Sequence, residues 1–251
     1  MRPPRWIGIP ILAAAWSCND SSPTGPSAPL SETRETASII FHYAPGDAVE
    51  AEREQAFHDW AVAELGPSLA GKMVYNKYLS RSHMGEHTGV YNTNGYAERN
   101  SLTLHTIWPF DNHEPVHLYT SGFGSPVALL SEGIAVSFQT DPAANDYLPK
   151  WNNERLHHAA RRFRDSGLFV PLDRLLETQE FLQAPANVRY PEAGSFVLFL
   201  RESRGLARLK GLFAMGNEND SRARLRESFQ QVYGIPLESI EREWLSMLDA
   251  E

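Results

Sequence analysis

The chain has 251 residues, enough for one large domain or two small ones, and its 42% hydrophobic and 11% aromatic content is that of a globular protein. A net charge of −8 without any basic run argues against nucleic acid as a partner. No stretch beyond the N-terminal segment is apolar for long enough to span a membrane, and a single cysteine leaves no internal disulfide.

The first segment reads as an address. Arg2 and Arg5 precede an apolar run over 6–16, the pattern of a signal peptide at 1–17. Ala15-Trp16-Ser17-Cys18 is similar to the lipobox of bacterial lipoproteins, which makes Cys18 the lipidation site; Trp16 departs from the usual small or aliphatic residue there. The alternative is a plain secretory signal with an incidental cysteine. Residues 18–37 are rich in Ser, Pro, Thr, Gly and charge, and predict a flexible tether. The expected location is the cell envelope, lipid-anchored, on the periplasmic or the outer surface.

A folded region is expected over 38–251, with a sheet-bearing part at 38–110 and a helical part at 111–251. Ser38-Ile39-Ile40-Phe41-His42-Tyr43 predicts a strand, and 48–65 a helix stopped by Gly66-Pro67. Residues 72–79 predict a second strand, followed by a polar loop through Asn94. Residues 101–108 (SLTLHTIW) predict a third strand leading into Asp111.

His113-Glu114-Pro115-Val116-His117 follows. Helix positions i and i+4 share a face, so both imidazoles can reach one metal ion, and the intervening glutamate is placed to take a proton from water. Asp111 predicts the N-cap, with Glu114 as its capping-box partner and Pro115 at the fourth helical position. A Glu114 committed to that cap would make a poor base. A third ligand is expected in Glu132, a carboxylate in an otherwise apolar segment, two turns into a helix opened by Ser125-Pro126. Gly133 would let the first helix come close. Helices are predicted over 150–165, 171–181, 192–204, 206–215, 221–233 and 236–249, with stops at Gly205, Gly216 and Gly234. The fold class is therefore α+β: a small N-terminal sheet with a helix, then a mainly helical half that carries the metal motif.

These residues resemble a gluzincin metallopeptidase, and more closely the peptidase MA-like domains of bacterial envelope proteins. The likeness rests on His113, Glu114, His117 and on Glu132-Gly133-Ile134-Ala135, with Gly95-Tyr96-Ala97 upstream. Tyr190-Pro191-Glu192-Ala193-Gly194-Ser195-Phe196, Phe199-Leu200, Tyr233-Gly234 and Glu243-Trp244-Leu245 extend it. The resemblance implies a zincin-like fold in which His113, His117 and Glu132 hold Zn²⁺ and Glu114 activates water. It also implies an edge strand, here 101–108, that pairs with an extended peptide or protein substrate. Tyr190 is either the oxyanion donor or a packing residue at a helix start. Thermolysin-like members carry an acid four residues after the glutamate ligand; Val136 stands there in this chain. A non-catalytic envelope binding or assembly module on the same fold is the alternative.

The remaining histidines carry less. His157 and His158 read as surface residues, His105 as a strand residue beside the cleft, and His83 and His87 as parts of a loop. Trp60, Trp151 and Trp244 fit helix core faces.

Overall fold

Alternation decides the sheet. Ile39 and Phe41 are fully buried on one strand, Met73 and Tyr75 on the next, with less buried residues between them, the period of two that a pleated ribbon imposes. The computed structural model describes residues 28–250. Strands β1 (Glu32–Glu35), β2 (Ile39–Tyr43), β3 (Met73–Lys77), β4 (Gly95–Glu98) and β5 (Thr103–Thr106) form one sheet in the order β1-β2-β3-β5-β4. The inner three strands are parallel, and both edge strands run antiparallel to their neighbours. Helix α1 (Ala51–Leu65) makes the crossover between β2 and β3, burying Phe57, Ala61 and Leu65, and Gly66 ends it in a left-handed conformation.

The helical part is organised around α8. Between the sheet and α8 come α2 (Arg81–Thr88), α3 (Glu114–Tyr119), α4 (Ala128–Val136), the two-strand ribbon β6 (Lys150–Trp151) and β7 (Glu154–Arg155), α5 (Leu156–Asp165), α6 (Leu172–Leu175) and α7 (Thr178–Gln183). Helix α8 (Ala186–Arg204) is buried without interruption over 191–200, and α9 (Leu206–Met215), α10 (Arg222–Tyr233) and α11 (Leu237–Ala250) complete the chain. Helix α4 lies close against α8 in the core. A Cβ at Gly133 would sit 2.5 Å from Val197 Cγ2 and 2.7 Å from the Ala193 carbonyl. Gly133 therefore admits α8, not the first metal-motif helix. The mixed α+β class agrees with the sequence expectation.

Several elements differ from that expectation. The segment from residue 28 to 37 is not a free tether: β1 pairs with β2, and the Ala28 carbonyl accepts bonds from His83 Nε2 (2.7 Å) and His87 Nε2 (3.1 Å). Those two histidines lie on α2, a helix capped by Ser80 where the glycine-bearing composition suggested a loop. The strand predicted over 101–108 spans only Thr103–Thr106 and is internal, between β3 and β4; the edge strand on that side is β4. Residues 150–155 form the β6–β7 ribbon, so the helix predicted from 150 starts at Leu156, and the one predicted over 171–181 is broken into α6 and α7. Helix α8 begins at Ala186, six residues before its predicted start. The signal segment and Cys18 lie outside the described residues. Among the described residues no helix is long and apolar enough to cross a membrane.

Glu192 shows what the core of α8 costs. It is fully buried; Oε1 accepts the Val170 N–H at 2.9 Å, and Oε2 has no partner. Burial pushes its pKa up to about 8, only partly opposed by that N–H bond. The folded state thus holds a proton that the unfolded chain, with a glutamate pKa of about 4.3, gives up. The resulting stability is whole below the unfolded value and is lost as pH rises through the folded one. Glu192→Gln should flatten the fall in urea-denaturation stability between pH 5 and pH 8; a slope equal to the wild type's would show that Glu192 titrates normally.

Candidate metal centre

Helix α3 begins where Asp111 makes it begin. Asp111 Oδ1 accepts the backbone N–H groups of His113 and Glu114, each at 3.0 Å, and Oδ2 accepts the Thr106 hydroxyl at 2.7 Å. The N-cap position is His113, not Asp111 as expected; Asp111, two residues before it, still supplies the acceptor for the first N–H groups, but its partner is not the expected one. The Asp111 N–H donates to Glu54 Oε2 of α1 at 3.0 Å, so Glu114 closes no capping box and keeps its carboxylate for the cleft. Pro115 lies in the first turn of α3, earlier than expected, where its missing N–H has no intrahelical partner to lose. Gly95 of β4 completes the arrangement: a Cβ there would stand 2.9 Å from Glu114 Cγ and 3.1 Å from the His105 carbonyl. Only glycine lets the edge strand run this close to Glu114.

Helix α4 brings the third residue. Its first N–H, on Ala128, is taken by Thr178 Oγ1 of α7 at 3.1 Å, so Ser125 is not the cap and Glu132 stands one turn into the helix, not two. His113, His117 and Glu132 then converge. His113 Nε2 lies 3.2 Å from Glu132 Oε2 and 3.3 Å from His117 Nε2, and His117 Nε2 lies 3.6 Å from the same oxygen. Zinc binds such nitrogen and oxygen atoms at about 2.0–2.2 Å, which sets tetrahedral ligand atoms roughly 3.3–3.6 Å apart. The donor set fits, and these three residues could hold a metal ion.

The electrostatics of the three residues favour a positive charge between them. Burial favours neutral His113, but Glu132, Glu114 and Asp111 outweigh it and push the imidazole up to about 9. Burial likewise opposes the charge on Glu132, and His117 and His113 more than compensate, holding its carboxyl well below the usual range. Burial raises Glu114 to about 7, with the two histidines pulling the other way. Positive charge at the triad is what stabilises these carboxylates, and a bound cation would supply it.

Two residues behind the ligands had no sequence signature. Glu54, fully buried in α1, is one. Gln139 is the other: its amide lies 3.2 Å from His113 Nδ1, and with the amide turned over Oε1 would accept the hydrogen that Nδ1 carries when Nε2 binds a metal. Val136 takes no part in this; it packs against Gly194 of α8. His117 Nδ1 is buried without a partner among the described residues.

The site opens into a cleft of two lobes, each of about 260 Å³, that share Thr93, Gly95, His113, Glu114 and Tyr190. Asn94, Trp108, Gln139 and Trp151 line one; Tyr96, Ala97, Arg99, His117 and Glu132 line the other. Tyr190 sits inside α8, not at its start, edge-on to His113 with ring centroids 6.1 Å apart. Burial and Glu132 raise its pKa against the opposing Arg189, so the phenol keeps its proton. Trp151 is a cleft residue, in contrast to the core role expected of it. The free edge of β4 borders the same cleft. The Ile107 N–H donates to the Asn94 carbonyl, which makes 94, 96 and 98 the positions bonded to β5 and turns the backbone groups of Gly95 and Ala97 outward. The Thr93 hydroxyl already engages both groups of Gly95; among the described residues nothing bonds those of Ala97.

The other histidines are brought elsewhere. His105 is buried between Tyr78 and Tyr96, with Nδ1 2.8 Å from the Tyr78 hydroxyl, and does not face the cleft. His157 is not a plain surface residue: with Ser195 (2.8 Å) and Glu202 (3.6 Å) it forms a serine–histidine–carboxylate chain. Ser195 is fully buried and takes the Trp244 indole N–H at 3.0 Å, so no substrate can reach it.

Compared with known proteins, the chain matches no family model and no curated sequence.

Glu54→Ala would leave the buried Asp111 N–H without an acceptor and should cost about 1–3 kcal/mol of stability, read by chemical denaturation. Glu54→Gln keeps an acceptor oxygen and should stay near the wild type. An alanine variant as stable as the wild type would show that Glu54 does not support the cap.

Proposed function

We propose that the chain is a zinc-dependent peptide hydrolase of gluzincin type, zincin-like in fold, acting on a peptide or protein of the cell envelope from a lipid anchor at Cys18. The observation that carries this reading is the division of labour at α3: Asp111 caps the helix with Glu54 behind it, and Glu114 is free beside a three-residue ligand set. His113, His117 and Glu132 would hold the ion. A bound zinc ion supplies a Lewis acid that acidifies water and polarises a carbonyl.

The chain's own groups do the rest. An extended peptide pairs with the outward N–H and C=O of Ala97 on β4, the true free edge, which lays its carbonyl carbon beside Glu114. Glu114 accepts a proton from the attacking water as the oxygen bonds to that carbon, and returns it to the amide nitrogen as the C–N bond breaks. The protonated Tyr190 hydroxyl donates to the oxygen that gains charge. A shape fixed before substrate arrives is what makes such groups effective, and the cap on α3 supplies it for Glu114.

A second reading has an observation in its favour. Among the described residues His117 Nδ1 is buried with no hydrogen-bond partner to orient the ring, so the same fold would stand as a non-catalytic envelope binding or assembly module.

The metal content of the purified chain separates the two. About one zinc per chain, lost in Glu132→Ala, is expected for the hydrolase, and no uptake when zinc is offered would leave the binding module. Glu114→Gln should keep the zinc and lose peptide hydrolysis by about 10²- to 10⁴-fold or more; full activity would refute the base. Tyr190→Phe should lower kcat by about 10²-fold with KM little changed, whereas a packing role would leave kcat intact.

A further inference from the structure

The two lobes of the cleft are chemically unlike. One carries Arg99 at its rim and the polar ligand groups of His117 and Glu132. The other is walled by three aromatic rings. Trp151 lies nearly flat on Tyr190, with centroids 5.6 Å apart and planes 21° from parallel, and Tyr190 in turn stands edge-on to His113. Trp108 forms a further part of the wall and is 48% exposed, an unusual state for an indole. Its backbone is fixed all the same: the Trp108 carbonyl accepts the Tyr75 hydroxyl at 2.8 Å, and its N–H donates to Thr106 Oγ1 at 3.1 Å. Thr106 is the residue that also holds the Asp111 cap, so this wall and the start of α3 are built on one anchor.

Size and charge narrow what enters. At about 260 Å³ the lobe is smaller than the roughly 300–1,000 Å³ of pockets that take whole small ligands; it suits one side chain. No lysine or arginine is among its lining residues, and His113 there already faces Glu132 Oε2 at 3.2 Å, so the lining offers an acidic side chain no unpaired cation. Asn94 and Gln139 offer amide groups at its margin. Because His113 and Glu114 line the same lobe, a side chain seated there belongs to a residue adjoining the bond presented to Glu114.

We infer that the Trp108–Trp151–Tyr190 lobe receives a neutral aromatic side chain of a peptide, next to the bond to be broken. The inference rests on reading the cleft as a peptide site, and it makes Trp108 a specificity-determining residue of that site. Stacked or edge-on rings give an aromatic guest more than an aliphatic one of similar area. A sugar ring on the same indoles is the competing occupant; the free backbone groups of Ala97 on the adjoining edge favour a peptide.

The test uses the full chain carrying Glu114→Gln, with zinc present, so that binding is read without turnover. Blocked tripeptides with phenylalanine, leucine or aspartate between two alanines, and an N-acetylglucosamine trimer, are titrated against intrinsic tryptophan fluorescence. The phenylalanine peptide should bind at least about fivefold tighter than the leucine peptide and more than tenfold tighter than the aspartate one. Adding Trp108→Ala should abolish the phenylalanine advantage, and Trp108→Phe should restore it; the half-exposed position puts folding at little risk. Equal binding of phenylalanine and leucine, an unchanged preference in Trp108→Ala, no saturable peptide binding, or saturation by the sugar alone would each overturn the inference. A wild-type chain that cleaves peptides without regard to aromatic residues would overturn it and leave the hydrolase reading standing. An inert wild type whose Glu114→Gln form still prefers phenylalanine would do the reverse.

Discussion

Both carboxylate oxygens of Asp111 are committed, one to the first N–H groups of α3 and the other to the Thr106 hydroxyl of β5, while its own N–H is held by Glu54 of α1. Three elements meet at one side chain. The sheet, the first helix and the metal-motif helix are registered to each other there, and the position of His113 and Glu114 follows from it. A charge-assisted cap of this kind is stronger than a neutral hydrogen bond, and a buried one is costly to break, so the start of α3 has one defined place. Gly95 is the complementary device: the strand can approach because the residue opposite Glu114 has no side chain.

The third member of the triad depends on a different contact. Glu132 is carried by α4, and α4 is positioned by α8 through Gly133 and Gly194, where side chains would collide with backbone or with Val136. Close helix approach of this sort makes the separation of Glu132 from the histidines a property of core packing. Tyr190 is carried by the same α8, four residues before Gly194. The cleft's far wall and Glu132 are therefore both positioned by one helix, and a strain that shifts α8 would reach both.

Local patterns in the sequence were informative where the physics is local. The i, i+4 spacing of His113 and His117, the Asp111 cap and the apolar surroundings of Glu132 each declare a helix and a shared face, and the structure brings all three residues together. The long amphipathic and apolar segments of the helical half were equally legible. What failed depends on partners distant in the chain. Glu54 takes the capping-box place 57 residues before Asp111, and no local rule points to it. Helix α2 is short and rich in polar residues, and it is held by the Ser80 cap and by contacts of its histidines with Ala28. The order of strands puts β5 inside and β4 at the edge, and a strand's neighbours cannot be read from its own composition. Trp151 had the wrong role because the ribbon that carries it looked like the first turn of a helix.

Along β4, among the described residues, Ala97 alone presents both backbone groups outward and unbonded, since Thr93 has already closed those of Gly95. A strand laid there gains few main-chain bonds before β4 ends at Glu98, so the edge can grip only a short length of chain. Such a grip does not compete with the many cooperative bonds of a folded sheet or helix. On the proposed peptide reading, a chain docking there would have to arrive already extended, as a terminus, a linker or a locally frayed segment, and folded segments would be passed over because their backbone is already bonded.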